Sequence, residues 1–99
     1  MSSQYTGIAK VFKALSDPKR VKIVDLLSCG EMCGCVLLKC FEITQPTLAH
    51  DMKVLTEAGI VTSRREGKKT IYALNKEAIE HYRGLVDRVF QSNSGDGPC

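Results

Sequence analysis

The sequence predicts a mainly helical domain that ends in a small β-hairpin and one last helix. Three observations carry this expectation. Apolar residues recur at helical spacing near both ends of the chain. Two short helical segments, punctuated by proline and threonine, occupy the middle. After Gly59 the pattern changes to β-branched runs with a basic turn between them. The 99 residues allow one domain with a modest core.

Ile8, Val11, Phe12 and Leu15 follow the i, i+3, i+4, i+7 rule, which predicts an amphipathic helix over about 5–16. Asp17-Pro18 reads as an N-cap followed by proline at the first helical position. Val21, Val24 and Leu26 or Leu27 continue as the apolar side of this second helix, and Gly30 ends it. Residues 32–41 read as a short third helix or an irregular turn, loosened by Gly30 and Gly34. Thr44 caps a fourth helix that tolerates Pro46 in its first turn; Leu48, Met52 and Leu55 form its buried stripe and Gly59 stops it. Residues 60–65 and 70–74 are β-branched or aromatic-rich, and Glu66-Gly67-Lys68-Lys69 separates them, as in a hairpin. Asn75 caps a last helix over about 76–91, with Ile79, Tyr82, Val86, Val89 and Phe90 as its apolar positions. Residues 1–91 thus form one domain, and 92–99, rich in Ser, Gly and Pro, read as a flexible tail.

Bulk properties narrow the function classes. The start of the chain lacks the basic and apolar runs of a signal peptide, and no stretch approaches the roughly 20 apolar residues of a membrane span. A cytoplasmic protein with reduced cysteines is expected, and five cysteines, an odd number, argue against a closed disulfide framework. A thiol oxidoreductase would want Cys-x-x-Cys near a βαβ pattern; neither is present, so an enzyme is not expected.

Two short helices joined by a turn, the second opening Thr44-Gln45-Pro46-Thr47, suggest a helix-turn-helix, and the basic hairpin after it makes a winged one. The first turn of such a recognition helix meets base edges in the major groove. Thr44, Gln45 and Thr47 offer the short polar groups that this needs, and glutamine can pair bidentately with adenine. His50, one turn on, is placed to reach a phosphate or base edge. Asp51 would repel phosphate, so it is expected to point away from DNA. On the wing, Arg64, Arg65, Lys68 and Lys69 cluster around Gly67 and are expected to neutralise backbone phosphates.

Four of the five cysteines fall within residues 29–40, directly before that helix. Cys33 and Cys35, separated by one glycine, can chelate one soft ion. In a regular helix they would point about 200° apart, so the segment must be irregular for both to face the same ion. Cys40, seven residues after Cys33, would lie about 10 Å along such a helix, too far for a shared ion unless the helix distorts. Cys29, at the end of the second helix, reads first as a small core residue and second as a ligand, and Cys99 as a tail residue able to reach a neighbouring subunit.

Ala14-Leu15-Ser16-Asp17-Pro18-Lys19-Arg20, Glu31-Met32-Cys33-Gly34-Cys35, Thr44-Gln45-Pro46-Thr47-Leu48 and the run from Leu55 to Val61 closely resemble the ArsR/SmtB family of metal-sensing repressors. The resemblance implies a winged-helix homodimer paired largely through its first and last helices, bound to operator DNA and released by an inducer. The Cys-x-Cys box is similar to that of the arsenic- and antimony-sensing branch, which implies As(III) or Sb(III) on Cys33 and Cys35, with Cys40, Cys29 or Cys99 as third thiolate. Cys40 lies five residues after Cys35, where that branch often has three. Cd(II) or Pb(II) sensing, or a thiol-redox or persulfide response on the same fold, are the alternatives.

Overall fold

The computed structural model describes residues 3–91; the expected tail and Cys99 lie outside the described residues. Five helices and three short strands follow one another as α1 (Ser3–Ala14), α2 (Pro18–Leu27), β1 (Met32–Cys33), α3 (Gly34–Lys39), α4 (Gln45–Glu57), β2 (Val61–Glu66), β3 (Lys69–Leu74) and α5 (Lys76–Phe90). The architecture is a winged helix-turn-helix, as the sequence pattern predicts. α3 and α4 form the helix-turn-helix, and β2 and β3 form the wing.

The predicted caps start their helices for the expected reason: a side-chain oxygen accepts an otherwise unpaired N–H of the first turn. Asp17 accepts from the Lys19 N–H at 2.8 Å. Thr44 accepts from Thr47 at 3.4 Å, and Asn75 from Ala78 at 3.2 Å. Pro18 and Pro46 sit in first turns, where no helical hydrogen bond is lost. The wing turns on Gly67, with φ 62°, while no non-glycine described residue has positive φ. A two-residue loop with glycine first is what the twist of an antiparallel hairpin favours.

The core gathers Val11 and Ala14 of α1, Ile23 and Leu27 of α2, Leu37 of α3, Leu48, Met52 and Leu55 of α4, and Ile60 and Val61 at the entry to the wing. Two details differ from the sequence pattern. α2 buries Ile23 and Leu27, whereas Val21 is 49% exposed. α5 buries Leu85, while Val89 and Phe90, expected on its apolar face, stand in solvent with Tyr5 and Phe12 of α1.

A third difference positions the functional site. Residues 32–41 are not one helix. Met32 and Cys33 form a strand that pairs with Tyr72 and Ile71 of β3, so the wing is a three-stranded sheet in the order β1-β3-β2. Ile71 also faces Arg64 of β2, which puts Cys33, Ile71 and Arg64 in one row across the sheet.

Among the described residues one charged side chain is buried: Asp51 of α4, 1% exposed. Its carboxylate meets Lys19 Nζ at 3.0 Å and Arg20 Nη1 at 3.2 Å, both from α2. Arg20 Nε donates in turn to the Ala14 carbonyl at the end of α1, at 2.6 Å. Three helices therefore meet on one ionic node. Asp51→Ala leaves two cations without their buried partner. The expected loss is about 2–3 kcal/mol, below the cost of a fully buried pair because both cations keep some water. Urea unfolding checks this; a change within about 0.5 kcal/mol, typical of a surface substitution, would show the node to be dispensable.

Candidate nucleic-acid interface and dithiol site

The first turn of α4 is polar and open. Thr44, Gln45, Thr47 and His50 are all exposed, while Leu48 between them is buried. The Thr44 and Thr47 hydroxyls lie 3.0 Å apart and hold each other in place, which leaves Gln45 as the longest uncommitted side chain of that turn. Asp51 points inward, as expected, so α4 offers no carboxylate from that position to oppose phosphate.

The wing cations divide into two kinds. Arg65, Lys68 and Lys69 are exposed and, among the described residues, form no ion pair; Arg65 only donates to the Thr70 hydroxyl at 3.2 Å. Arg64 is held. Its guanidinium makes a two-pronged contact with Glu31 at 2.7 and 2.8 Å, and its Nε donates to Glu66 at 2.8 Å. Two carboxylates already neutralise it, so its expected part in phosphate binding is weaker than its charge suggests. Hydrogen bonding to Arg64 lowers the Glu31 pKa from its ordinary 4.5, and the two acids raise that of Arg64. The pair is therefore complete at neutral pH and is lost only as acid protonates Glu31 below that ordinary value. Glu31 lies 33 residues from Arg64 and two before Cys33, so sequence spacing gave no hint of the contact.

Cys33 and Cys35 are brought together by the same local geometry that makes β1. Cys33 is not inside a helix but caps α3 in extended conformation, φ −67° and ψ 144°. Its Sγ accepts the Cys35 N–H at 3.2 Å, and both sulfurs fall on the same side. The structure joins them in a disulfide, with Cα atoms 5.2 Å apart. This corrects the expectation of reduced thiols throughout: that Cα spacing lies within the disulfide range. The same convergence suits one soft ion, because bonds of about 2.3 Å require two sulfurs within roughly 4.6 Å of each other.

Gly34 lets the chain turn here without striking Tyr72; a Cβ at residue 34 would sit 3.3 Å from that ring.

Cys40 is not brought to the pair. It ends α3 on the far side, where its thiol donates to the Val36 carbonyl at 3.4 Å. Cys29 is likewise free and exposed, not a core residue. Among the described residues, no three His, Cys, Asp or Glu side chains converge in a way that could hold a metal.

The dithiol, the recognition helix and the wing share one space. A cleft of about 460 Å³ is bounded by Cys33 and Cys35 on one side, Gln45 and Leu48 of α4 on another, and Arg65, Lys68 and Lys69 of the wing on the third, with Tyr72 as a wall. Sequence reasoning had named most of these residues separately. It missed Tyr72 and Lys39, which complete the cleft, and Glu31, which ties it to the wing.

Comparison with known proteins agrees with this architecture. Residues 17–63 match the family described as "Bacterial regulatory protein, arsR family". An arsenical resistance operon repressor of Staphylococcus xylosus is 44% identical over 91 residues, covering 92% of this chain and 88% of the relative. A cadmium resistance transcriptional regulatory protein CadC homolog of Staphylococcus aureus is 43% identical, covering 84% and 67%. Among solved structures, the homodimeric winged helix-turn-helix DNA-binding domain of a possible ArsR-family regulator from Mycobacterium bovis superposes with a TM-score of 0.74 at 29% identity, covering 88% and 81%. The chain belongs to the ArsR family of bacterial regulatory proteins.

Proposed function

We propose that this protein is an arsenic-responsive transcriptional repressor, which binds operator DNA as a homodimer and lets go when As(III) or Sb(III) binds Cys33 and Cys35. The observation that carries this reading is the shared cleft: two converging sulfurs face the first turn of α4 and the free cations of the wing. Soft thiolates select a thiophilic ion over hard cations. Its operator places the protein in the cytoplasm. No helix among the described residues is long and apolar enough to cross a membrane.

Pairing through α1 and α5 is supported by the apolar side chains these helices leave in solvent, Tyr5, Phe12, Val89 and Phe90. The dimer places two α4 helices in successive major grooves, with half-sites about 34–36 Å apart. Thr44, Gln45, Thr47 and His50 then face the groove, and Arg65, Lys68 and Lys69 the flanking phosphates.

Coupling to the inducer follows from the sheet. An ion on Cys33 and Cys35 reshapes the β1–α3 junction, and β1 is hydrogen-bonded to β3 of the wing. The Glu31–Arg64 contact moves with it. Inducer that fits the DNA-incompetent shape better weakens DNA binding by the factor that DNA weakens inducer binding.

Two other readings have specific support. The disulfide favours a thiol-redox response at the same pair. The cadmium-resistance relative favours Cd(II), but that ion wants more sulfur donors than a trivalent metalloid does, which leaves it further from the two that converge here.

Titration of reduced, operator-bound protein with As(III), Sb(III), Cd(II) and peroxide, followed by fluorescence anisotropy, separates these readings. As(III) and Sb(III) are expected to release DNA; release by Cd(II) or peroxide alone would contradict the proposal. Cys33→Ser and Cys35→Ser each keep DNA binding and lose the arsenite response, whereas Cys40→Ser responds nearly as the parent does. Footprinting of one half-site by a monomer would refute the dimeric arrangement.

DNA affinity measured against salt tests the division of wing cations. Lys68→Ala reduces the salt slope by about 1 and weakens binding on all sequences alike. Arg64→Ala reduces it less, since Glu31 and Glu66 already neutralise that charge; equal losses would show Arg64 to be a phosphate contact. Gln45→Ala costs about 1–3 kcal/mol at one base pair and leaves the slope unchanged.

A further inference from the structure

We infer that the third donor to the metalloid comes from outside the chain, as a small carboxylate-bearing monothiol held in the cationic cleft beside Cys33 and Cys35. The inference rests on the arsenic-sensing reading and names the ligand class that this site takes.

A trivalent metalloid bonds three thiolates, but among the described residues only two sulfurs reach the cleft. Cys40 lies at the other end of α3 with its thiol turned to the Val36 carbonyl. No further Cys, His, Asp or Glu of the described residues joins the pair. Room for an external donor exists: the cleft measures about 460 Å³, within the range of roughly 300–1,000 Å³ of small-molecule sites. Its chemistry is one-sided. Lys39, Arg65, Lys68 and Lys69 line it, no Asp or Glu does, and none of the four cations forms an ion pair among the described residues. Such a rim favours a donor that carries negative charge beyond its sulfur. The same cations face phosphate when DNA is bound, so an anionic ligand in the cleft competes with DNA directly.

The chemistry balances without a net change at arsenic. The disulfide opens first, by exchange with two molecules of the monothiol; these leave as one small disulfide and deliver two electrons and two protons to Cys33 and Cys35. Arsenous acid then exchanges its three As–O bonds for three As–S bonds, two to the protein and one to a further monothiol. The three thiol protons leave with the three hydroxyls as water.

Native mass spectrometry of the full-length reduced protein tests this. Arsenite is added alone, or with glutathione, 2-mercaptoethanol or cysteamine, which are anionic, neutral and cationic monothiols. The expected species is one chain with one arsenic and one glutathione. It is retained about three- to tenfold better than the 2-mercaptoethanol adduct, the scale of one or two exposed ion pairs, and cysteamine is retained least. The order collapses in the Lys68→Gln, Lys69→Gln double variant, and the ternary mass persists in Cys40→Ser and in Cys99→Ser. Arsenic held with no thiol in any arm, or lost in Cys40→Ser or Cys99→Ser, would overturn the inference while leaving the Cys33–Cys35 sensor intact. Absence of any arsenic adduct on the parent protein would overturn both.

Discussion

The contact of Asp51 with Lys19 and Arg20 is the constraint on which the arrangement depends. It ties the middle of α4 to the start of α2, and through Arg20 to the last carbonyl of α1. A buried carboxylate is costly unless paired, and here two cations from one helix pair it. Lys19 is held most strongly by its hydrogen bond to Asp51, which raises its pKa, so its charge persists across the neutral range. The second half of α4 is thereby fixed to the helical core. Its first turn, where Thr44 to Thr47 stand in solvent, projects from that anchor.

Anchoring one end of α4 decides where a signal from the thiols can go. The Cys33–Cys35 segment is joined to two elements: the short helix α3 that leads into α4, and β3 of the wing, which it pairs with directly. The wing is the freer of the two. Residues 62–69 are all exposed, so few packed side chains oppose its displacement. Glu31 and Arg64 add a second link between the same two elements. On the proposed reading, the dithiol would act on DNA binding chiefly through the wing, with α4 as the fixed reference.

What could be read from the sequence was local. Asp17, Thr44 and Asn75 cap their helices as expected, since a cap depends only on the three residues after it. The glycine turn of the wing and the basic residues around it were likewise legible, and so was the turning of Asp51 away from the DNA-facing side, though not its burial against Lys19 and Arg20. What could not be read depends on distant partners. β1 is two residues long and has no period of its own; Ile71 and Tyr72 define it. The convergence of Cys33 and Cys35 through an irregular segment was legible, but the strand that makes the segment irregular was not. The phase of α2 was misjudged because Val21 and Ile23 are equally apolar, and only the packing of α4 and the sheet selects Ile23. The holding of Arg64 by Glu31 spans 33 residues and leaves no local trace.

Hydrogen exchange on the reduced, operator-free protein, with and without arsenite, tests most directly whether the thiols act through the wing. The predicted result is altered exchange at residues 31–35 and 64–72, with residues 51–57 around the Asp51 anchor unchanged. Altered exchange confined to 45–57, with the wing unaffected, would contradict the account.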